Sequence, residues 1–145
     1  MKANTEDIQF HYLTKGFTLK NRRALKAFLL QLIEGEGKEL DTLNYIFCDD
    51  AYLLQINKEY LNHDTYTDIV TFELSQKEEP LVSDIYISVE RVRANAETFK
   101  TTLTHELHRV IFHGALHLCG YKDKKKEEAK VMRRKEEEYL EKYFN

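Results

Sequence analysis

Hydrophobic and polar positions alternate first with a short period and then with a helical one. Residues 6–12 (Glu-Asp-Ile-Gln-Phe-His-Tyr) alternate polar and apolar from Asp7 on, which predicts a strand. Leu25, Phe28, Leu29, Leu32 and Ile33 follow i, i+3, i+4, i+7 spacing, so a helix is expected over about 19–34, closed by Gly35 and Gly37. Residues 42–48 read as a second strand, and Asp49-Asp50 can cap a short helix carrying Leu53, Ile56, Tyr60 and Leu61. Residues 62–66 are polar and predict a loop. Residues 67–74, rich in β-branched and aromatic side chains, predict a third strand, and 82–88 a fourth. From Val89 the period becomes helical: Val89, Val92, Ala96 and Phe99 share a face, and Thr101-Thr102 marks a break. Leu103, Leu107, Val110, Ile111 and Leu118 stripe the next helix, which Gly120 ends. The tail from Lys124 is a charged helix whose apolar side holds Ala129, Met132, Tyr139, Leu140 and Tyr143. Strands first and helices last predict an α+β fold, a small mixed four-stranded sheet with helices packed on it.

Composition narrows the class without naming an activity. A chain of 145 residues is one ordinary domain, long enough to bury a core without disulfides. One proline and five glycines exclude collagen-like and Pro/Gly-rich disordered classes, and argue against a turn-rich all-β fold. The formal charge is -3, so nucleic-acid binding would need a local basic patch. No apolar run approaches the ~18–20 residues of a membrane span. Residues 1–10 are polar and acidic, unlike a signal peptide. Cys48 and Cys119 then read as reduced core thiols, and the expected location is cytoplasmic.

Candidate chemistry concentrates in His113-Gly-Ala-Leu-His117-Leu-Cys-Gly120-Tyr-Lys-Asp123. Side chains four apart on a helix are neighbours, about 5–6 Å between Cβ atoms. Two imidazoles so placed can share one zinc ion, with nitrogens about 2.0–2.1 Å from it. Gly120 permits the left-handed turn that brings Asp123 back as a third ligand. Three N/O ligands leave a fourth position for water, as in catalytic zinc sites. The spacing His-x-x-x-His-x-x-Gly-x-x-Asp is that of zinc metallopeptidases, and the helix is expected to resemble theirs. A peptidase, however, needs glutamate directly after the first histidine as general base, and here that residue is Gly114.

His113-Gly-Ala-Leu-His117-Leu-Cys-Gly-Tyr121 resembles the signature of the YbeY family, bacterial rRNA maturation factors. Asn57-Lys-Glu-Tyr60, Thr67-Asp68-Ile69-Val70-Thr71-Phe72 and Ser83-Asp84-Ile85-Tyr86-Ile87-Ser88 resemble further family blocks in order. The resemblance implies a metal-dependent endoribonuclease specific for single-stranded RNA. It implies action in 3′-end maturation of small-subunit ribosomal RNA and in ribosome quality control, with ribosomal partners. It implies one zinc ion, with His113, His117 and Asp123 as metal-binding and catalytic residues. Three positions depart from the family pattern. Asp123 replaces a third histidine, which should make the zinc a weaker Lewis acid. Leu61 stands where the family usually carries arginine, and Lys58, Arg91, Arg93 and Lys122 are candidate substitutes. Ser83 replaces a glycine.

Secondary candidates surround this motif. Glu106, seven before His113, falls near its face and is a candidate to orient a ligand histidine. His105 and His108 read as packed or solvated, and Cys119 as core. Asp68 and Asp84 are either turn carboxylates or polar lining of the cleft, and His63 and Asp64 lie in a loop that could border it. Lys122, Lys124, Lys125 and Lys126 form the one strong local basic run, a candidate RNA contact. The rival functions are a metallopeptidase and a ribosome assembly factor with a structural metal and no activity.

Overall fold

The protein is described from a computed structural model covering residues 3–62 and 66–145. The loop candidates His63 and Asp64 lie outside the described residues. Four strands form one mixed sheet in the order β1-β2-β4-β3: β1 (Ile8–Tyr12), β2 (Leu40–Cys48), β3 (Ile69–Glu73) and β4 (Leu81–Ser88). β1, β2 and β4 run parallel, and β3 pairs antiparallel with β4, Ile69 opposite Ile87. The helices are α1 (Arg22–Gly35), α2 (Asp50–Leu61), α3 (Val89–Thr98), α4 (Leu103–Leu118) and α5 (Lys126–Phe144). The fold is α+β, as the succession of periods predicts.

Local chemistry accounts for most element boundaries. Asp49 caps α2 by accepting from the Tyr52 amide at 2.8 Å, and Thr102 caps α4 by accepting from His105 at 3.0 Å. α1 begins later than its apolar spacing suggests. Asn21 adopts a left-handed backbone (φ 56°), which a helix interior cannot contain, so Leu19 is buried from the preceding loop. Phe99 sits just past the end of α3 and is exposed, whereas Val89, Val92 and Ala96 are buried as expected.

Alternation on β4 sends Leu81, Ser83, Ile85 and Ile87 to one face, where α4 packs. Leu107, Val110, Ile111, Phe112, Ala115, Leu116 and Leu118 bury α4 on nearly all sides, between the sheet and α1, α3 and α5. Each large apolar side chain so buried contributes roughly 1.5–3 kcal/mol relative to exposure. The helix that carries the two motif histidines is therefore the central strut of the molecule. A second, smaller apolar cluster of Cys48, Leu53, Ile56 and Val70 lies under α2.

Candidate active site

His113 and His117 occupy the last two turns of α4, and the chain then reverses at Gly120, whose φ is +105°. The reversal returns Asp123 to the helix: its Oδ2 is 3.3 Å from His113 Nε2. His113, His117 and Asp123 line one cleft of about 330 Å³, together with Leu61, residues 67–71, Arg109 and Val110. All three candidate residues of the motif thus meet on one cleft. Among the described residues, however, no three His, Cys, Asp or Glu side chains are grouped closely enough to form a finished ion site.

Each histidine has its Nδ1 engaged by the protein. His113 Nδ1 is 2.6 Å from Glu136 Oε2 on α5, and His117 Nδ1 is 3.0 Å from the Tyr121 carbonyl oxygen. A carbonyl only accepts, so in the neutral ring the His117 proton lies on Nδ1 and Nε2 keeps a lone pair. An ionised Glu136 imposes the same arrangement on neutral His113. Burial opposes a charge on His113, but the hydrogen bond and charge of Glu136, with Asp123 and Asp68, outweigh it and raise its pKa. Burial likewise pushes the Glu136 carboxyl up, but His113 and the Arg109 charge more than reverse this and hold it ionised.

Sequence reasoning does not single out Glu136. It is 2% exposed, on the charged tail helix and outside the residues expected on its apolar side. The signal that could have found it is its place in the apolar stripe, four after Met132 and four before Leu140. Glu106, the expected partner of a ligand histidine, instead accepts two hydrogen bonds from Arg109, at 2.9 and 2.5 Å. Arg109 also reaches Glu136 Oε1 at 2.9 Å. A buried chain Glu106–Arg109–Glu136–His113 results, in which every ion has a partner. Glu36, at the end of α1, anchors the other side. It accepts from the Tyr121 hydroxyl at 2.7 Å and from the Tyr139 hydroxyl, and pairs with Lys135 at 3.2 Å.

The remaining candidates separate cleanly. Asp68 lines the cleft, and burial raises its pKa despite the nearby Arg109 and His113 charges. Asp84 lies elsewhere, on the opposite side of β4, accepting from Asn44 at 3.1 Å beside a groove of Tyr52, Tyr60, Phe72 and Tyr86. His105 is exposed and His108 is packed against Tyr143 and Phe144. Both cysteines are free thiols, Cys48 buried and Cys119 partly so. Leu61 does line the cleft. Of the cations considered as substitutes for arginine there, Arg91 is held by Asp50 at 2.8 Å, and Lys58 and Arg93 are exposed on α2 and α3.

Gly114 presses its Cα side onto the sheet. A Cβ there would stand 3.0 Å from the terminal methyls of both Ile69 and Ile85. The position where a metallopeptidase carries its general base therefore faces packed hydrocarbon.

These features meet a known group of proteins. The family profile described as Endoribonuclease YbeY matches residues 7–144. The chain belongs to the YbeY endoribonuclease family. It is 49% identical over 133 residues to the Endoribonuclease YbeY of Flavobacterium johnsoniae, covering 92% of this chain and 94% of that one. It is 44% identical over 135 residues to that of Cytophaga hutchinsonii, covering 93% and 94%. The solution structure of a Thermotoga maritima protein superposes with a TM-score of 0.64 at 27% identity, covering 94% of this chain and 89% of that one. In this YbeY-family chain, His113 and His117 lie at the end of α4 and line the cleft described above. Among the described residues, no helix is long and apolar enough to cross a membrane.

Proposed function

We propose that this endoribonuclease is zinc-dependent, cuts single-stranded RNA at the α4 cleft, and acts on the 3′ end of small-subunit ribosomal RNA in the cytoplasm. The observation that carries the reading is the paired presentation of His113 and His117. Both Nδ1 atoms are bonded within the protein, so in the neutral rings Nε2 is the nitrogen left for a ligand in the cleft that Asp123 also lines, with His113 Nε2 3.3 Å from Asp123 Oδ2. That donor set, two imidazoles and one carboxylate, suits zinc with one open position.

His113, His117 and Asp123 would hold the ion. When bound, it would supply Lewis-acid polarisation of a phosphodiester oxygen or an acidified water. The protein's own part is to orient and to neutralise. Glu136 and the Tyr121 carbonyl fix the two imidazole planes. Asp68, which lines the same cleft, would accept a proton from a group bound there, and burial moves its pKa toward that use. Arg109 is committed to Glu106 and Glu136, and Arg91 to Asp50, so neither is a spare phosphate clamp. The exposed run Lys122, Lys124, Lys125 and Lys126 beside Asp123 supplies the local positive field for the RNA backbone.

Metal analysis and cleavage of single-stranded RNA, with and without chelator, test the reading together. Zinc near one equivalent and chelator-sensitive cleavage are expected, both lost in His113→Ala. Full cleavage by metal-free His113→Ala would refute it. Bound zinc without cleavage would favour an assembly factor. Product ends distinguish the attacking group: a 2′,3′-cyclic phosphate marks the RNA 2′-OH, and a 5′-phosphate marks water.

A further inference from the structure

We propose that Glu136 is the positioning residue of the site: by accepting the His113 Nδ1 proton it sets the imidazole tautomer and aims Nε2 into the cleft. Its role toward zinc rests on the reading above, whereas its role toward the tautomer does not.

The geometry is specific. Oε2 of Glu136 lies 2.6 Å from His113 Nδ1, while Oε1 is taken by Arg109 Nη1 at 2.9 Å. Arg109 is itself gripped by Glu106 through Nε and Nη2. One carboxylate oxygen is thus clamped and the other is reserved for the histidine. The Glu136 side chain is only 3% exposed, so water cannot readily substitute for it as acceptor. An unconstrained neutral histidine favours its proton on Nε2, and the bond at the other nitrogen decides which tautomer prevails. With the proton on Nε2, His113 would offer the cleft a donor and no lone pair. Glu136 reverses that preference from a different helix, 23 residues away in sequence. α5 is therefore part of the site's machinery and more than its cover. The same helix also braces His117 indirectly, because Lys135 and Tyr139 hold Glu36, which holds Tyr121.

The test compares Glu136→Gln with Glu106→Gln, a second buried carboxylate that touches Arg109 but not His113. Imidazole nitrogen shifts are read by NMR in the metal-free full-length protein at alkaline pH, where the ring is neutral. Wild type and Glu106→Gln should show His113 protonated on Nδ1, and Glu136→Gln should show a mixture or the Nε2–H form. Zinc affinity, from competition with a chelator, should fall about 10–100-fold in Glu136→Gln and much less in Glu106→Gln. An unchanged tautomer in Glu136→Gln overturns the proposal, as does an equal loss of zinc affinity in both variants. If wild type binds no zinc, the metal reading fails, and the tautomer still decides the role of Glu136. Should Glu136→Gln not fold, the charge-neutral E106Q/R109Q/E136Q chain leaves no unpaired buried ion and gives the same tautomer readout.

Discussion

Tyr45, at the centre of β2, donates its hydroxyl to the carbonyl oxygen of Ile111 on α4 at 2.8 Å, and both side chains are fully buried. The bond ties the middle of the sheet to the helix two residues before His113. Burial pushes the phenol far above its usual pKa, so it remains a donor throughout the working pH range. In an α-helix the Ile111 carbonyl also accepts from the amide four residues on. Tyr45→Phe therefore strands no acceptor and keeps the ring in place. Stability should drop by about 0.5–1.5 kcal/mol, read from the urea midpoint at unchanged slope. An unaltered midpoint would mean the bond contributes nothing.

Gly114→Glu installs the residue that a metallopeptidase would carry. Here it should break the fold without creating a peptidase. Its first side-chain carbon would meet Ile69 and Ile85 at 3.0 Å, and Ile85 is fully buried. Overpacking of this kind typically costs about 1–3 kcal/mol, and a buried unpaired carboxylate adds to it. The expected result is a large fall in melting temperature and no digestion of a protein substrate with added zinc. A stable variant would show that α4 can move off β3 and β4.

His108 makes stability depend on pH in a defined direction. The ring is 7% exposed, stacks on Tyr143 with centroids 5.3 Å apart, and has Nδ1 2.7 Å from the Thr104 carbonyl oxygen. Burial lowers its pKa, the Thr104 carbonyl pulls the other way, and the His105 charge adds to the lowering. The unfolded chain, with an imidazole pKa of about 6.5, takes up its proton first as pH falls. The native state thus loses stability from about pH 6.5 down to the depressed native value, and is unaffected above it. His113 has a raised pKa and the opposite sign, its contribution fading as pH rises. The stability difference between wild type and His108→Phe cancels His113 and should shrink on acidification below about pH 6.5. A difference independent of pH would show that His108 is solvated.

The sheet and α4 are legible in the sequence because their information is local. Alternation marks β1, β-branched and aromatic residues mark β3, and Leu107, Val110, Ile111 and Leu118 mark the buried stripe of α4. Asp123 is legible for the same reason, since a glycine three after His117 almost obliges the chain to turn back. Glu136 and Arg109 are not. A carboxylate on the apolar side of a helix is ambiguous until its neighbour is known, and that neighbour comes from the crossing of α4 and α5. Glu106 lies on an appropriate face of α4, yet Arg109 at i+3 captures it. Spacing sets which face a residue occupies, and competition among partners sets what it binds.

The lysine run after the cleft gives the last prediction. Lys122, Lys124, Lys125 and Lys126 are exposed on either side of Asp123. The cap of α5 does not need the Lys125 charge, because its backbone amide reaches Glu128 at 3.0 Å. Replacing all four with Gln should therefore leave the melting temperature nearly unchanged. Leu61 in the cleft wall carries no charge, and Arg91 and Arg109 are held by carboxylates. On the proposed function, the lysines would be the cations that hold phosphate near His113. Binding of single-stranded RNA should weaken in the variant, and its logarithmic salt slope should flatten by about 0.7 for each phosphate that a lysine no longer neutralises. Cleavage should fall mainly through KM, because the residues in the cleft are untouched. An identical salt slope would assign the RNA path to another face of the protein.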